Sequence, residues 1–243
     1  MAQLDPVMFD SAEEKRVYRY VDQHGPQAAE DVMDAVSLPA DAFQTQVDRL
    51  LKKGYLAERD GQLTLGLDIG EAEEFTTADF SYTIRPARPD DFEEIVEVVE
   101  EIAGKKTYVV AKELAAQLRY EETLFRHNTS TARVFFVAEA DGEIIGWSGI
   151  ELPLVENLRA TAQLTVGVRD TYRGYAVGTQ LLTRGLNWAK TSGAKKVYNN
   201  IARTNMRAIS FLEDRGWERE GVREEHYTIG HKQVDEVMMA YKF

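Results

Sequence analysis

The chain has no cysteine in its 243 residues. That excludes disulfide staples, thiolate nucleophiles and cysteine-ligated metals. Histidine is scarce, with four in all. His24, His127 and His231 stand at no metal-ligand spacing from one another or from nearby acids, so no metal is expected. No stretch approaches the roughly 20 apolar residues that span a bilayer. The opening residues, Met-Ala-Gln-Leu-Asp-Pro, lack the basic and apolar blocks of a leader. A soluble cytoplasmic protein with no membrane contact is expected. Basic charge is short as well: 29 Lys and Arg stand against 41 Asp and Glu, a net charge of -12. The deficit is local, since residues 1–80 hold 7 basic and 17 acidic side chains while residues 81–243 hold 22 and 24. Strong nonspecific nucleic-acid binding, which needs cations to displace phosphate counterions, is disfavoured.

What is present is a chain 44% hydrophobic, long enough for one large or two ordinary domains. After a loose arm over residues 1–9, Ser11 is placed to cap a helix with Glu13 and Glu14 in its first turn. Val17, Tyr20 and Val21 give that helix an apolar stripe, which ends at Gly25-Pro26. A second helix is expected through Ala28–Val36, and a third, capped by Asp41, with Phe43, Val47, Leu50 and Leu51 inward. A hairpin turning at Asp60-Gly61 follows. This order over residues 1–65 resembles a winged helix, which implies either nucleic-acid binding or a protein-contact or homodimer role. Residues 10–65 hold 7 basic and 11 acidic side chains, so the electrostatic footprint of a DNA reader is missing. Residues 66–80, with Gly66, Gly70 and five acids, read as a solvated acidic linker.

From Ser81 the pattern changes to strands alternating with helices, in the order β-α-α-β-β-β-α-β-α-β-β, a mixed α/β sheet with helices packed on it. Its central stretch is Thr161–Leu182. Ala162, Leu164, Val166 and Val168 alternate with Gln163, Thr165 and Gly167 as in a strand. Arg173, Gly174 and Gly178 then lead into a helix with Leu181, Leu182, Leu186 and Ala189 on one stripe. A small-residue loop feeding a helix leaves backbone N–H groups aimed one way, and the helix dipole adds positive potential there, which suits a phosphate. The stretch lacks both Gly-x-x-x-x-Gly-Lys-Ser/Thr and Gly-x-Gly-x-x-Gly, which disfavours nucleotide-triphosphatase and dinucleotide readings.

Arg173-Gly-Tyr-Ala-Val-Gly178 resembles the acetyl-CoA loop, Arg/Gln-x-x-Gly-x-Gly/Ala, of the GNAT acyltransferases. Ala176 stands where Gly is usual, a position strained for alanine if it needs positive φ. Three further segments are similar to that family in the right order. Thr161–Val168 resembles its central strand. Asn205-Met-Arg-Ala-Ile-Ser-Phe-Leu-Glu-Asp-Arg-Gly-Trp217 resembles Asn-x-x-Ala-Ile-x-Leu-Tyr-Glu-Lys-x-Gly-Phe. Residues 220–239 resemble its closing strands.

The resemblance covers residues 81–243 and implies the GNAT fold and acetyl-CoA as donor. It implies that backbone groups of Val166 and Val168 pair with the pantetheine arm. The amides of Arg173, Gly174, Tyr175, Ala176, Val177, Gly178 and Thr179 would hold the pyrophosphate, with Asn205 beside the cofactor or acting as a helix cap. The implied activity is direct attack by a primary amine, on a small molecule or a protein, in a ternary complex. The chain departs from the family at two points. Gln163 replaces the frequent Glu of the central strand and Leu212 replaces the usual Tyr, and neither can move a proton. Glu151 and Tyr227 are the replacement base and acid, with Gln163 left to orient a water or the substrate; Tyr175 and Tyr198 are further phenols. The acceptor segments are expected near residues 89–130 and 223–233. The alternative reading is an acetyl-CoA-sensing regulator acting through the N-terminal residues.

Overall fold

The computed structural model describes residues 4–104 and 108–243; residues 1–3 of the expected arm and 105–107 of the expected acceptor segment lie outside them. The chain opens with α1 (Ala12–His24), β1 (Gln27–Ala28), α2 (Ala29–Val36), α3 (Ala40–Lys52), β2 (Leu56–Arg59) and β3 (Gln62–Leu65). The three strands form a small antiparallel sheet in the order β1-β3-β2. Ser11 caps α1, accepting from the Glu14 N–H at 3.0 Å. The Glu14 carboxylate accepts from Asp10 N and is paired at 2.6 Å with Lys53 at the end of α3. Glu14 is fully buried, so the Lys53 charge is what makes its burial tolerable. Pro39, not Asp41, is the N-cap of α3, and Asp41 sits inside the first turn, where its charge still suits the dipole.

The remaining elements are β4 (Glu73–Thr76), β5 (Ser81–Pro86), α4 (Phe92–Ala103), α5 (Val109–Glu121), β6 (Arg126–His127), β7 (Thr131–Ala140), β8 (Glu143–Pro153), β9 (Thr161–Val168), α6 (Val177–Thr191), β10 (Lys196–Ala202), α7 (Met206–Glu213), β11 (Glu218–Ile229) and β12 (Lys232–Lys242). One mixed sheet runs β11-β12-β10-β9-β8-β7-β5-β4, with β6 paired beside β7. From β5 onward this is the expected order with one two-residue strand added. The sheet is covered on both faces. Ile95, Val96, Val98, Val99 and Ile102 of α4 are buried against one side with Phe135, Val137 and Trp147. Each such side chain removed from water contributes about 1.5–3 kcal/mol. α6 covers the other side, lying so close that a Cβ on Gly185 would stand 2.6 Å from Leu164 Cδ1.

Two further expectations are corrected. Residues 66–80 are not a solvated linker. Leu67 is buried, and Glu73–Thr76 pairs with β5 as the outermost strand. Arg184 of α6 donates to the carbonyls of Ile69 at 3.0 Å and Glu71 at 2.7 Å and pairs with Glu73. The Trp188 indole donates to the Asp68 carbonyl at 3.1 Å. The acids were legible; the cation and the indole that receive this segment lie more than a hundred residues away. Nor is the arm loose over its described part. Val7 is buried, Phe9 packs on Tyr18, and the Leu4 N–H donates to the Ser192 carbonyl at 3.0 Å.

Candidate active site

β9 and β10 run side by side for three residues only: Lys196 faces Thr161, Val197 faces Ala162 and Tyr198 faces Gln163. Beyond that point they part. β10 stays paired to β12 as far as Ala202, and β9 stays paired to β8 as far as Val168. The two strands therefore face each other across a gap in the middle of the sheet. Backbone groups at such a gap need partners, and an extended molecule carrying amides can supply them as an added strand does. The gap opens into a cavity of about 620 Å3 that runs from Trp147 and Tyr108 past Val166 and Val168 to the first turn of α6.

At that end the turn into α6 is built from unusual backbone. Gly174 has φ +93°, and an added Cβ would meet no atom within 4 Å, so glycine serves conformation there and not space. Ala176, the N-cap residue of α6, is left-handed at φ 64° and ψ 0°. An L side chain in that region costs about 1–2 kcal/mol. The reward is direction: the Val177 and Gly178 N–H groups that open α6 lack partners in the helix and lie at the cavity mouth with its dipole, while the Thr179 N–H already donates to the Ala176 carbonyl at 2.9 Å. Two arginines flank them. Arg173 donates from Nε to the Val168 carbonyl at 2.8 Å and pairs with Asp170 at 2.5 Å. Arg215 lies 3.9 Å above the Phe211 ring and donates to the Thr179 hydroxyl at 2.7 Å from Nη2.

The inner end of the cavity adjoins a second, of about 210 Å3, through Val110 and Thr165. Glu151 and Gln163 line it opposite Glu113 and Gln117 of α5. Sheet register explains the grouping. Arg133 of β7 is directly across from Glu151 of β8, Glu151 is across from Gln163 of β9, and Gln163 is across from Tyr198 of β10. Residues opposite one another share a face, so the four form one row beneath α5. The Tyr198 hydroxyl donates to Gln163 Oε1 at 3.4 Å. Burial raises the Glu151 carboxyl above the usual carboxylate range, with the Arg133 charge opposing. Burial raises the Tyr198 phenol too, and the Glu151 charge adds to the effect. A carboxylate whose pKa is moved toward neutrality is better matched to taking a proton from an amine.

Val166, Val168, Arg173, Gly174, Ala176, Val177, Gly178, Thr179 and Asn205 all line the large cavity. Asn205 does so while accepting from the Ala208 N–H at 3.3 Å as the α7 cap. Tyr175 is not brought in. Its ring packs edge-on against Phe80, at 5.1 Å between centroids, and its hydroxyl bonds Asp79, which raises its pKa. Tyr227 lines neither cavity, though the charge of Glu113, which lines the smaller one, acts on it. Its hydroxyl donates to the buried Glu236, and burial together with that bond holds the phenol well above its ordinary pKa. Arg133 and Arg215 were not singled out from sequence. The one signal for Arg133 was a charge directly preceding the apolar run 134–138.

A profile of the acetyltransferase (GNAT) family matches residues 96–217, half of the chain. The chain belongs to the GNAT family. Acyltransferases using acetyl-CoA make up that family. An uncharacterised N-acetyltransferase of Methanocaldococcus jannaschii is 26% identical over 58% of the chain and 63% of its own length, so the chain spans less than two thirds of that relative. An N-alpha-acetyltransferase of Sulfurisphaera tokodaii is 27% identical over 61% of the chain and 87% of its own length. Among solved structures, a GCN5-related N-acetyltransferase of Kribbella flavida superposes with a TM-score of 0.56 at 23% identity, covering 67% of the chain and 98% of that structure. The mixed sheet is consistent with the GNAT fold of that neighbour. No helix among the described residues is long and apolar enough to cross a membrane.

Proposed function

We propose that this GNAT protein acetylates a primary amine, with acetyl-CoA bound along the gap between β9 and β10 and its pyrophosphate at the start of α6. The observation that carries the reading is the row Glu151, Gln163, Tyr198, which lines or borders the cleft meeting the inner end of the large cavity. Val166 and Val168 present backbone groups to the pantetheine amides. Arg173, Gly174 and the opening residues of α6 hold the phosphates, assisted by Arg215. The amine enters past Glu113 and Gln117 and gives its proton to Glu151, directly or through a water oriented by Gln163. The freed lone pair attacks the thioester carbonyl. As the C–N bond forms, the C–S bond breaks and the sulfur leaves with its electron pair. Tyr198, whose hydroxyl donates to Gln163 Oε1, is the phenol we favour to protonate it; Leu212 cannot. A thiolate with a pKa near the ~8.5 of free cysteine also departs unprotonated at some cost in rate.

An α-amine of a peptide or protein is the acceptor we favour, because an N-alpha-acetyltransferase is among the relatives. Residues 1–65 we read as a winged-helix-like module for protein contact, including self-association, and residues 81–243 as the transferase domain. The electroneutral exposed face of α3, with Asp41, Asp48, Arg49 and Lys52, supports contact with protein over DNA. Transfer is tested on peptides beginning with Met, Ala, Ser or Gly, alongside lysine and spermidine. Acetyl-CoA binding by calorimetry without turnover on any of them would instead favour the sensor reading, which Gln163 and Leu212 motivate.

A further inference from the structure

Arg133 sits in the sheet core with 2% exposure. Its guanidinium donates to the carbonyls of Thr123 at 2.7 Å and Leu124 at 3.2 Å and pairs with Glu121 Oε2 at 2.5 Å. The same oxygen accepts from Arg126 Nε at 3.1 Å, and Arg126 is directly across from Arg133 in the β6–β7 pairing. Two like charges thus share one carboxylate oxygen, an arrangement that a further anion nearby stabilises. That anion comes from α1: Asp22, itself buried, approaches Arg126 at 3.7 Å and accepts from the His127 N–H at 3.1 Å. Asp22, Arg126, Glu121 and Arg133 form a neutral set of four. Glu151 stands next to its last member across the β7–β8 pairing and makes no hydrogen bond through its carboxylate among the described residues.

We infer that Arg133 and Asp22 are positioning residues for Glu151: Arg133 holds the carboxylate charged, and Asp22, contributed by α1, limits how strongly the arginine pair does so. The N-terminal helices thereby contribute to the acetyl-transfer site without reaching it. The kinetic consequence rests on Glu151 being the base proposed above; the electrostatic one does not. The groups facing Glu151 are Arg133 from β7, Arg126 from β6, Glu113 and Glu121 from α5 and Tyr198 from β10, with Arg223 of β11 acting on Tyr198. Burial raises its pKa most; Arg133 opposes it, Glu121 adds to it and Arg126 opposes it more weakly. Removing Arg133 removes the largest opposing influence to burial. Removing the Asp22 charge leaves the remaining three groups net positive.

The test uses the full chain with carbon-13 in its glutamate carboxyls, the Glu151 signal being assigned by its loss in Glu151→Gln. The Glu151 titration midpoint should rise in Arg133→Met, fall in Asp22→Asn and stay near wild type in Arg133→Lys. Asp22→Asn is isosteric and keeps an acceptor for His127, so it decides the matter even if Arg133→Met fails to fold. A midpoint unmoved in Asp22→Asn and in any folded Arg133→Met overturns the inference. Kinetics with the best amine of the acceptor panel add a second readout. In Arg133→Met, kcat/KM should be about tenfold low near pH 6 and within about twofold of wild type near pH 9, with the KM for acetyl-CoA unchanged. A shifted midpoint alongside a fully active Glu151→Gln would support the electrostatic relay while refuting Glu151 as the base.

Discussion

Arg215 and Thr179 are joined across the mouth of the large cavity, tying the turn after α7 to the first turn of α6 by hydrogen bonds of 3.0 and 2.7 Å from Nε and Nη2 to one hydroxyl. The guanidinium also stacks on Phe211 and donates to its carbonyl at 2.7 Å. It is therefore fixed before any phosphate arrives, so little side-chain entropy is lost on binding. Arg215→Ala should weaken acetyl-CoA binding by about tenfold, equivalent to ~1.4 kcal/mol. Calorimetry on a variant that unfolds near the wild-type temperature checks this.

Gly178→Glu tests the same place by opposite means. The Cβ itself has room, with Val168 Cγ2 at 3.4 Å and Phe211 Cζ at 3.5 Å. The carboxylate beyond it would confront a pyrophosphate. Acetyl-CoA affinity should fall by at least about a hundredfold through like-charge repulsion in a confined site, with the fold kept by circular dichroism. Unchanged affinity would refute the assignment of the α6 start as the phosphate site.

Ala176 offers a gain. Its left-handed φ of 64° is one that glycine adopts freely. Ala176→Gly should stabilise the protein by about 1 kcal/mol, and Gly174→Ala, at φ 93°, should destabilise it by at least as much. Urea unfolding of the two variants reads both signs.

Glu151→Gln should lower kcat by about 10²- to 10⁴-fold with acetyl-CoA affinity retained. Its effect on stability has a definite sign. Burial raises the carboxyl pKa in the folded chain, so the charged form is disfavoured there. Stability from this group is fully present below the unfolded carboxylate pKa and is lost as pH rises through the raised folded value. Glu151→Gln should therefore unfold at a higher temperature than wild type at neutral pH. The difference should shrink in acid, where wild-type Glu151 is itself neutral.

Much of this was legible because the responsible residues are local in sequence. The period-2 alternation of Ala162 to Val168 and the stripe of Leu181, Leu182 and Ala189 follow from one strand and one helix each, and both are where the pattern put them. The strain at Ala176 was readable from a single residue out of step with a motif. What escaped depends on which strands are neighbours. Nothing near Glu151 in sequence places it between Arg133 and Gln163; strand register does. Tyr227 is near in sequence to acids and to His226, yet its hydroxyl is committed to Glu236 on the facing strand. Lone charges in apolar surroundings, Arg133 above all, were the unused signal, because a buried arginine demands partners that must come from elsewhere.

The strap over residues 67–74 bears on how the protein should be handled in the laboratory. A shortened clone beginning at Ser81, the obvious cut for anyone wanting only the transferase half, would strip Arg184 of its acceptors and lay bare the indole of Trp188. It would also turn β5 into a raw sheet margin, which recruits other chains. Such a fragment should be sticky in solution, whereas the intact polypeptide carries its own edge guard.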